Sequence, residues 1–259
     1  MGVVNDQEPL PFGVRKAEFE VNIQCAPMKL APFVLTVLAS VSIAAQQTPP
    51  LPVYEVQRAA QPITIDGRVD EAAWQKAQPM AFVRNSDGVA SPLKTDARMA
   101  YDEQFLYFAF RIVDENIWAT MKKRDEHLWT EEVVEVFLQP DLQRPGYVEL
   151  EVNPLGTMID IFLIDIRKPL KYESWNSDRL KWAVSVDGSV DGQPGDREWT
   201  CEIALPLEDL PVPKPKPGDE MRLNLYRVEK RPDAAGLAWS PTMKNDFHVP
   251  ARFGRLIFR

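Results

Sequence analysis

The stretch L-W-T-E-E-V-V-E-V-F, Leu128 to Phe137, sets an indole and a run of carboxylates directly before a strongly β-forming segment. Successive strand residues point to opposite faces. Val134, Val136 and Leu138 therefore share one face, and Val133, Glu135 and Phe137 share the other. A flat aromatic beside a carboxylate on a rigid sheet suits a sugar ring, whose C–H face stacks on indole while its hydroxyls seek charged acceptors. The same pattern also fits a packed tryptophan and a solvated glutamate, and the residues alone leave both open.

Outward from this stretch the strand signals continue. Alternating or apolar β-branched and aromatic runs occupy 63–66, 80–84, 97–101, 105–113, 147–153, 158–164, 182–187, 199–205, 221–228 and 253–258. Turn clusters such as Asn85-Ser86-Asp87-Gly88 and Gln193-Pro194-Gly195-Asp196 separate them. The run F-L-Y-F-A-F-R-I-V at 105–113 is apolar on both faces and reads as a central strand. Asp70 to Gln78 reads as a short helix, and Leu207 to Leu210 as a helical turn. Many short strands, with 23 prolines in the chain, predict an all-β fold: an antiparallel two-sheet sandwich, jelly-roll-like, with one or two short helices.

Towards the N-terminus the pattern changes. Lys29 precedes an uncharged apolar stretch, Leu30 to Ala45, that ends in small residues. This predicts a signal peptide over 28–45 and an upstream over-translation over 1–27. A stiff linker follows at 46–52 (Q-Q-T-P-P-L-P), then one domain over 53–259. The expected product is secreted or periplasmic, with no membrane insertion in the mature form. Residues 1–45 hold three basic and four acidic side chains, so their removal moves the net charge from −8 to −7. It also leaves Cys201 as the one cysteine, which alternation places with Trp199, Ile203 and Leu205 as a buried small hydrophobe. An acidic domain does not suit nucleic acid as a partner.

Ordered motifs along the chain resemble the family 9 carbohydrate-binding modules, in the wider group of DOMON-like sandwiches. They are I-D-G-R-V-D-E-A-A-W (65–74), A-Y-D-E-Q-F-L-Y-F-A-F (100–110), the opening stretch, Y-V-E-L-E-V-N-P-L-G (147–156), W-T-C-E-I-A-L-P-L (199–207), A-W-S-P (238–241) and P-A-R-F-G-R-L-I-F (250–258). The resemblance implies a non-catalytic module that holds a sugar between two aromatic rings. Trp129 corresponds to the first ring and Glu135 to the acid that bonds sugar hydroxyls. Phe247 stands where the family has a second Trp, and Glu151 where sugar-gripping members have Arg. Glu149 and His248 join the candidate set, with Trp175 as an exposed loop indole that either extends the cleft or covers a sheet edge. The well-studied modules prefer reducing ends of glucans and xylans; an arginine donates where Glu151 accepts, so the hydrogen-bond pattern differs and that preference does not carry over directly. A carbohydrate is the expected partner, with a glycosidase on another chain as a second one. Trp74, Trp199 and Trp239 read as packing residues.

Two further readings stand beside this one. A haem domain of the DOMON type would draw axial ligands from Met243, His248 and His127. A glycoside hydrolase would need a carboxylate pair from Glu131, Glu132, Glu135, Glu149 and Glu151. No cofactor is expected, except that Asp66, Asp70 and Glu71 in the D-G-R-V-D-E loop offer oxygens for a structural calcium. No G-x-S-x-G, H-E-x-x-H, phosphate-loop or C-x-x-C motif is present.

Overall fold

A computed structural model describes residues 48–165, 171–173, 175–230 and 236–259. The expected signal segment and the residues before it lie outside these. In chain order the elements are β1 (Val53–Arg58), α1 (Ala72–Lys76), β2 (Met80–Ala81), β3 (Val83–Arg84), β4 (Thr95–Tyr101), β5 (Phe105–Val113), β6 (Val133–Gln139), β7 (Tyr147–Val152), β8 (Met158–Asp165), β9 (Lys171–Glu173), β10 (Lys181–Asp187), β11 (Glu198–Pro206), β12 (Glu220–Val228), β13 (Leu237–Ala238) and β14 (Gly254–Phe258).

The strands run along one path, β10-β11-β5-β4-β1-β14-β12-β6-β7-β8-β9, which folds into two layers. β1 joins them. Its first residues pair with β14 and its last two with β4, both in parallel. Those two junctions are the exceptions to an otherwise antiparallel sandwich. Tyr101 and Phe258 close this corner edge to face, with ring centroids 5.0 Å apart.

Alternation fills the space between the layers. Val134, Val136 and Leu138 of β6, Val148, Leu150 and Val152 of β7, and Leu223 and Leu225 of β12 line one side. Leu106, Phe108, Phe110 and Ile112 of β5 and Cys201, Ile203 and Leu205 of β11 line the other. The opposite face of β5 (Phe105, Tyr107, Ala109) is covered by Trp74 of α1, which explains why that strand is apolar on both faces.

Several expectations change. Residues 63–66 form no strand, because the backbone N–H groups of Asp66 and Gly67 donate to the Glu202 carboxylate instead of to a ladder. The run 80–84 splits at Phe82: β2 pairs with β4 in one layer, and β3 pairs with β13 in the other. The helix shortens to five residues, ending before Gln78, which precedes Pro79 and is steered from the helical region. β1 begins at the boundary proposed for the linker and is a full strand of the sheet. No helix among the described residues is long and apolar enough to cross a membrane.

Candidate functional site

The outer face of the layer formed by β14, β12, β6, β7 and β8 carries the candidate residues. One row across it reads Ile159–Glu151–Glu135–Tyr226–Ala238, and the next reads Ile161–Glu149–Phe137–Asn224. Residues paired directly across strands share a face, so Glu135, Glu149 and Glu151 come together on it.

Aromatic rings border these acids. Tyr226 lies next to Glu135, and Phe247 stacks on Tyr226 with centroids 4.1 Å apart and planes 6° apart. A short chain of hydrogen bonds fixes that stack. Asn224 Nδ2 donates to the Tyr226 hydroxyl at 2.7 Å, which donates to the Phe247 carbonyl at 2.7 Å. Gly236 leaves the space: a Cβ there would stand 2.5 Å from Phe247 Cζ. Phe137 and Tyr147 stack behind (5.3 Å), and His248 packs over Phe137 (5.1 Å). His248 Nδ1 shares a 2.6 Å hydrogen bond with the Tyr147 hydroxyl and lies 3.9 Å from Glu149 Oε2. Burial pushes the His248 pKa down, so the ring is held in its neutral form.

Trp129 approaches from the β7 side. It sits on the 3₁₀ turn Leu128–Thr130, where Leu128 is buried against Val133 and Ile159 while Trp129 stays 43% exposed. Its ring stacks on exposed His127 at 4.5 Å, and its backbone N–H lies beside the Glu151 carboxyl. The acids of the opening stretch divide between two jobs. Glu131 accepts backbone N–H groups from Thr120 (2.8 Å) and Met121 (3.1 Å), and Glu132 accepts from Trp118 (3.0 Å). Both tie down the 118–121 loop, and only Glu135 reaches the outer face.

The electrostatics of the patch follow from burial. Glu135 is pushed well above the ordinary carboxylate range by desolvation and by the Glu149 charge. Glu149 is pushed up to about 7 by desolvation, against a carboxyl–carboxyl contact with Glu151 that lowers it. Glu151 is also pushed well up, by desolvation and by both neighbours. Three acids this close cannot all be charged without a cation or a donor.

Trp175 is a correction to the candidate set. Its ring packs against the main core between the layers, and its Nε1 donates to the Asp209 carbonyl at 3.3 Å. It covers an interior edge on the far side of the sheet from Glu135. Tyr226, Tyr147, Phe137 and Asn224 are the site-forming residues that sequence reasoning left out. The alternation Y-V-E-L-E-V and N-L-Y marks their faces; the pairing of β12 with β6 was not readable.

The candidate ligands for haem do not face one another: Met243 turns its sulfur towards Gly88, while His248 turns Nδ1 to Tyr147. For calcium, the structure groups Asp66 and Glu71 with Glu202, and pairs Asp70 with Arg68 at 3.0 Å. Glu202 does not suit the ion, because its oxygens accept Trp74 Nε1 (2.8 Å), Gly67 N (2.9 Å) and Asp66 N (3.1 Å). A second acidic group, Asp114, Glu132 and Glu229, has the buried Arg227 guanidinium among it, 2.8 Å from Asp114 and 2.6 Å from Glu229.

A family model described as carbohydrate-binding family 9 matches residues 65–258. Among solved structures, a putative carbohydrate-binding protein from Bacteroides uniformis is similar at 19% identity and a TM-score of 0.64, over 81% of this chain and 100% of that one. A family 9 module from Caldicellulosiruptor kristjanssonii in complex with glucose is similar at 15% identity and a TM-score of 0.57, over 80% and 96%. The same organism's module in complex with cellotriose gives 16% identity and 0.55, over 80% and 94%. No curated protein matches.

Proposed function

The chain belongs to carbohydrate-binding family 9, and we propose that it is a non-catalytic module that binds a sugar on the outer face of the β12-β6-β7 sheet. The observation that carries the reading is the row Glu151–Glu135–Tyr226, with Phe247 stacked on its tyrosine and the exposed Trp129 at its glutamate end. Aromatic faces take the apolar side of a pyranose ring, and carboxyl groups take its hydroxyls. Similar modules bind glucose and cellotriose, which supports a pyranose sugar as the ligand. We assign no catalytic role to the carboxylates. Glu131 and Glu132 are engaged by loop N–H groups, and the three acids of the patch are buried.

The apolar segment 30–45 supports export of the module to the periplasm or the outside of the cell, where polysaccharide and a glycosidase on another chain would meet it. A glycan array followed by titration calorimetry tests the reading. Trp129→Ala should lose at least tenfold in affinity, since each stacked ring contributes on the order of 1–2 kcal/mol and ~1.4 kcal/mol is a factor of ten. Normal sugar binding by Trp129→Ala overturns the assigned site.

A further inference from the structure

The patch carries more acid than the hydroxyls of a neutral sugar require. Glu151 is 0% exposed, and no N–H or hydroxyl group bonds either of its carboxyl oxygens. Glu149 Oε2 is likewise buried without a donor. The Trp129 backbone N–H is near Glu151 but short of hydrogen-bond geometry. What remains in reach is carboxyl against carboxyl, a bond only when one of the two holds a proton. Glu135 stands directly across from Glu151 in the ladder. Among the described residues, no Lys or Arg forms an ion pair with any of the three, and Lys230 attracts Glu135 only from a distance.

Buried acceptors without donors cost stability unless something completes them. Two kinds of cation suit three carboxylates. A divalent metal needs converging oxygens, and the groups of three acids with ligand atoms within 4.8 Å of one another are, among the described residues, Asp66/Glu71/Glu202 and Asp114/Glu132/Glu229. Glu135, Glu149 and Glu151 are not such a group. A primary ammonium asks for less convergence: it donates three hydrogen bonds in separate directions. It is also attracted to aromatic faces; the exposed Trp129, and Phe247 that covers Tyr226, border this patch. The Trp129 turn lies beside Glu151: Leu128 anchors it in the core, while the Trp129 ring is exposed and stacks on exposed His127.

We infer that the site selects an amino sugar, with the ammonium of a hexosamine unit received by Glu135, Glu149 and Glu151 while its ring lies against the aromatics. This rests on the carbohydrate-binding reading and names its ligand class. The probes are glucosamine, N-acetylglucosamine, glucose and ethylamine, titrated into the full chain by calorimetry. Glucosamine should bind roughly tenfold or more tighter than glucose, within what one charge-assisted hydrogen bond supplies. N-Acetylglucosamine, whose nitrogen carries no charge, should lose that gain. Ethylamine, which has the charge without the ring, should bind far more weakly than glucosamine. Glu151→Gln, nearly isosteric, should bring the glucosamine-to-glucose affinity ratio towards one. Equal affinities for glucosamine and glucose overturn the inference and leave sugar binding standing. Ethylamine binding as well as glucosamine overturns it too, since the patch would then recognise amines in general. Failure of every sugar, by a chain that melts cooperatively, removes the carbohydrate reading and the inference with it.

Discussion

Each layer of this sandwich has an outer face that pairs a tryptophan with buried glutamate, and the two faces use the pair in opposite ways. On the β11-β5-β4 side, Trp74 is fully buried and its indole N–H is given to Glu202, whose carboxylate also takes two backbone N–H groups. Gly67 makes this possible: its φ is +85°, and a Cβ would stand 2.6 Å from the Val184 backbone. Both Glu202 oxygens have a donor. On the β12-β6-β7 side, Trp129 is exposed, and Glu151 is as buried as Glu202 but has no donor at all. Burial alone therefore does not distinguish the two carboxylates; their hydrogen-bond partners do, and the donors on Glu202 make it part of the fold.

Removing each tryptophan is the strongest way to break that contrast. Trp74→Ala opens a cavity and strips Glu202 of a donor, so it should cost on the order of 3–5 kcal/mol of stability, read from denaturant unfolding. Sugar affinity of the molecules that remain folded should not change. If Trp74→Ala melts like the wild-type chain, the structural half of the comparison fails. Trp129→Ala should do the reverse. Its melting temperature should stay close to wild type, because exposed substitutions shift stability by about 0.5 kcal/mol or less, while sugar affinity falls at least tenfold.

The acid response sharpens the contrast further. Glu132, pushed up to about 9 by burial and the Glu229 charge, and Glu149, pushed up to about 7 by burial, keep their protons longer in the folded chain than in the unfolded one. The folded state then binds more protons, so its advantage is complete below the ordinary glutamate value of 4.5 and is lost as pH rises through these raised values. Thermal stability should therefore fall between about pH 5 and pH 9. Glu149→Gln should flatten the fall up to about pH 7, and Glu132→Gln the whole of it up to about pH 9. A melting temperature that rises across the range would contradict the assignment of these acids as neutral when buried. The smallest effect is expected at Gly236→Ala. The new methyl pushes Phe247 off Tyr226 without deleting the ring, so sugar affinity should drop by less than in Trp129→Ala, with calorimetry on both variants as the check.

Most of the strands were legible because their alternation is strict. β6 (Val133–Gln139) follows the alternation of Val134, Val136 and Leu138, and β5 (Phe105–Val113) the run that is apolar on both faces. β7 shows the same logic, with Val148, Leu150 and Val152 inward and Tyr147, Glu149 and Glu151 outward. The readings that failed lie where backbone groups bond to something other than a neighbouring strand. Asp66 and Gly67 give their N–H groups to a side chain more than a hundred residues away, and no local pattern announces that. Trp175, in a polar loop, reads as exposed, but its ring packs part-buried against the core and its Nε1 donates to the Asp209 carbonyl.

The sequence by itself determined the β class, the inward and outward faces of each strand, and which side chains were available for stacking and for hydrogen bonding. These are local properties, set by a period of two residues and by side-chain chemistry. Tertiary structure alone decided the neighbours. β12, some ninety residues after β6, lies beside it and brings Tyr226 and Phe247 to Glu135. The return of β7 beside β6 sets Glu151 against Glu135, so that acids read singly from the chain become one buried group. Strand order is fixed by how the whole core closes around β1, and a carboxyl group's charge depends on what stands next to it.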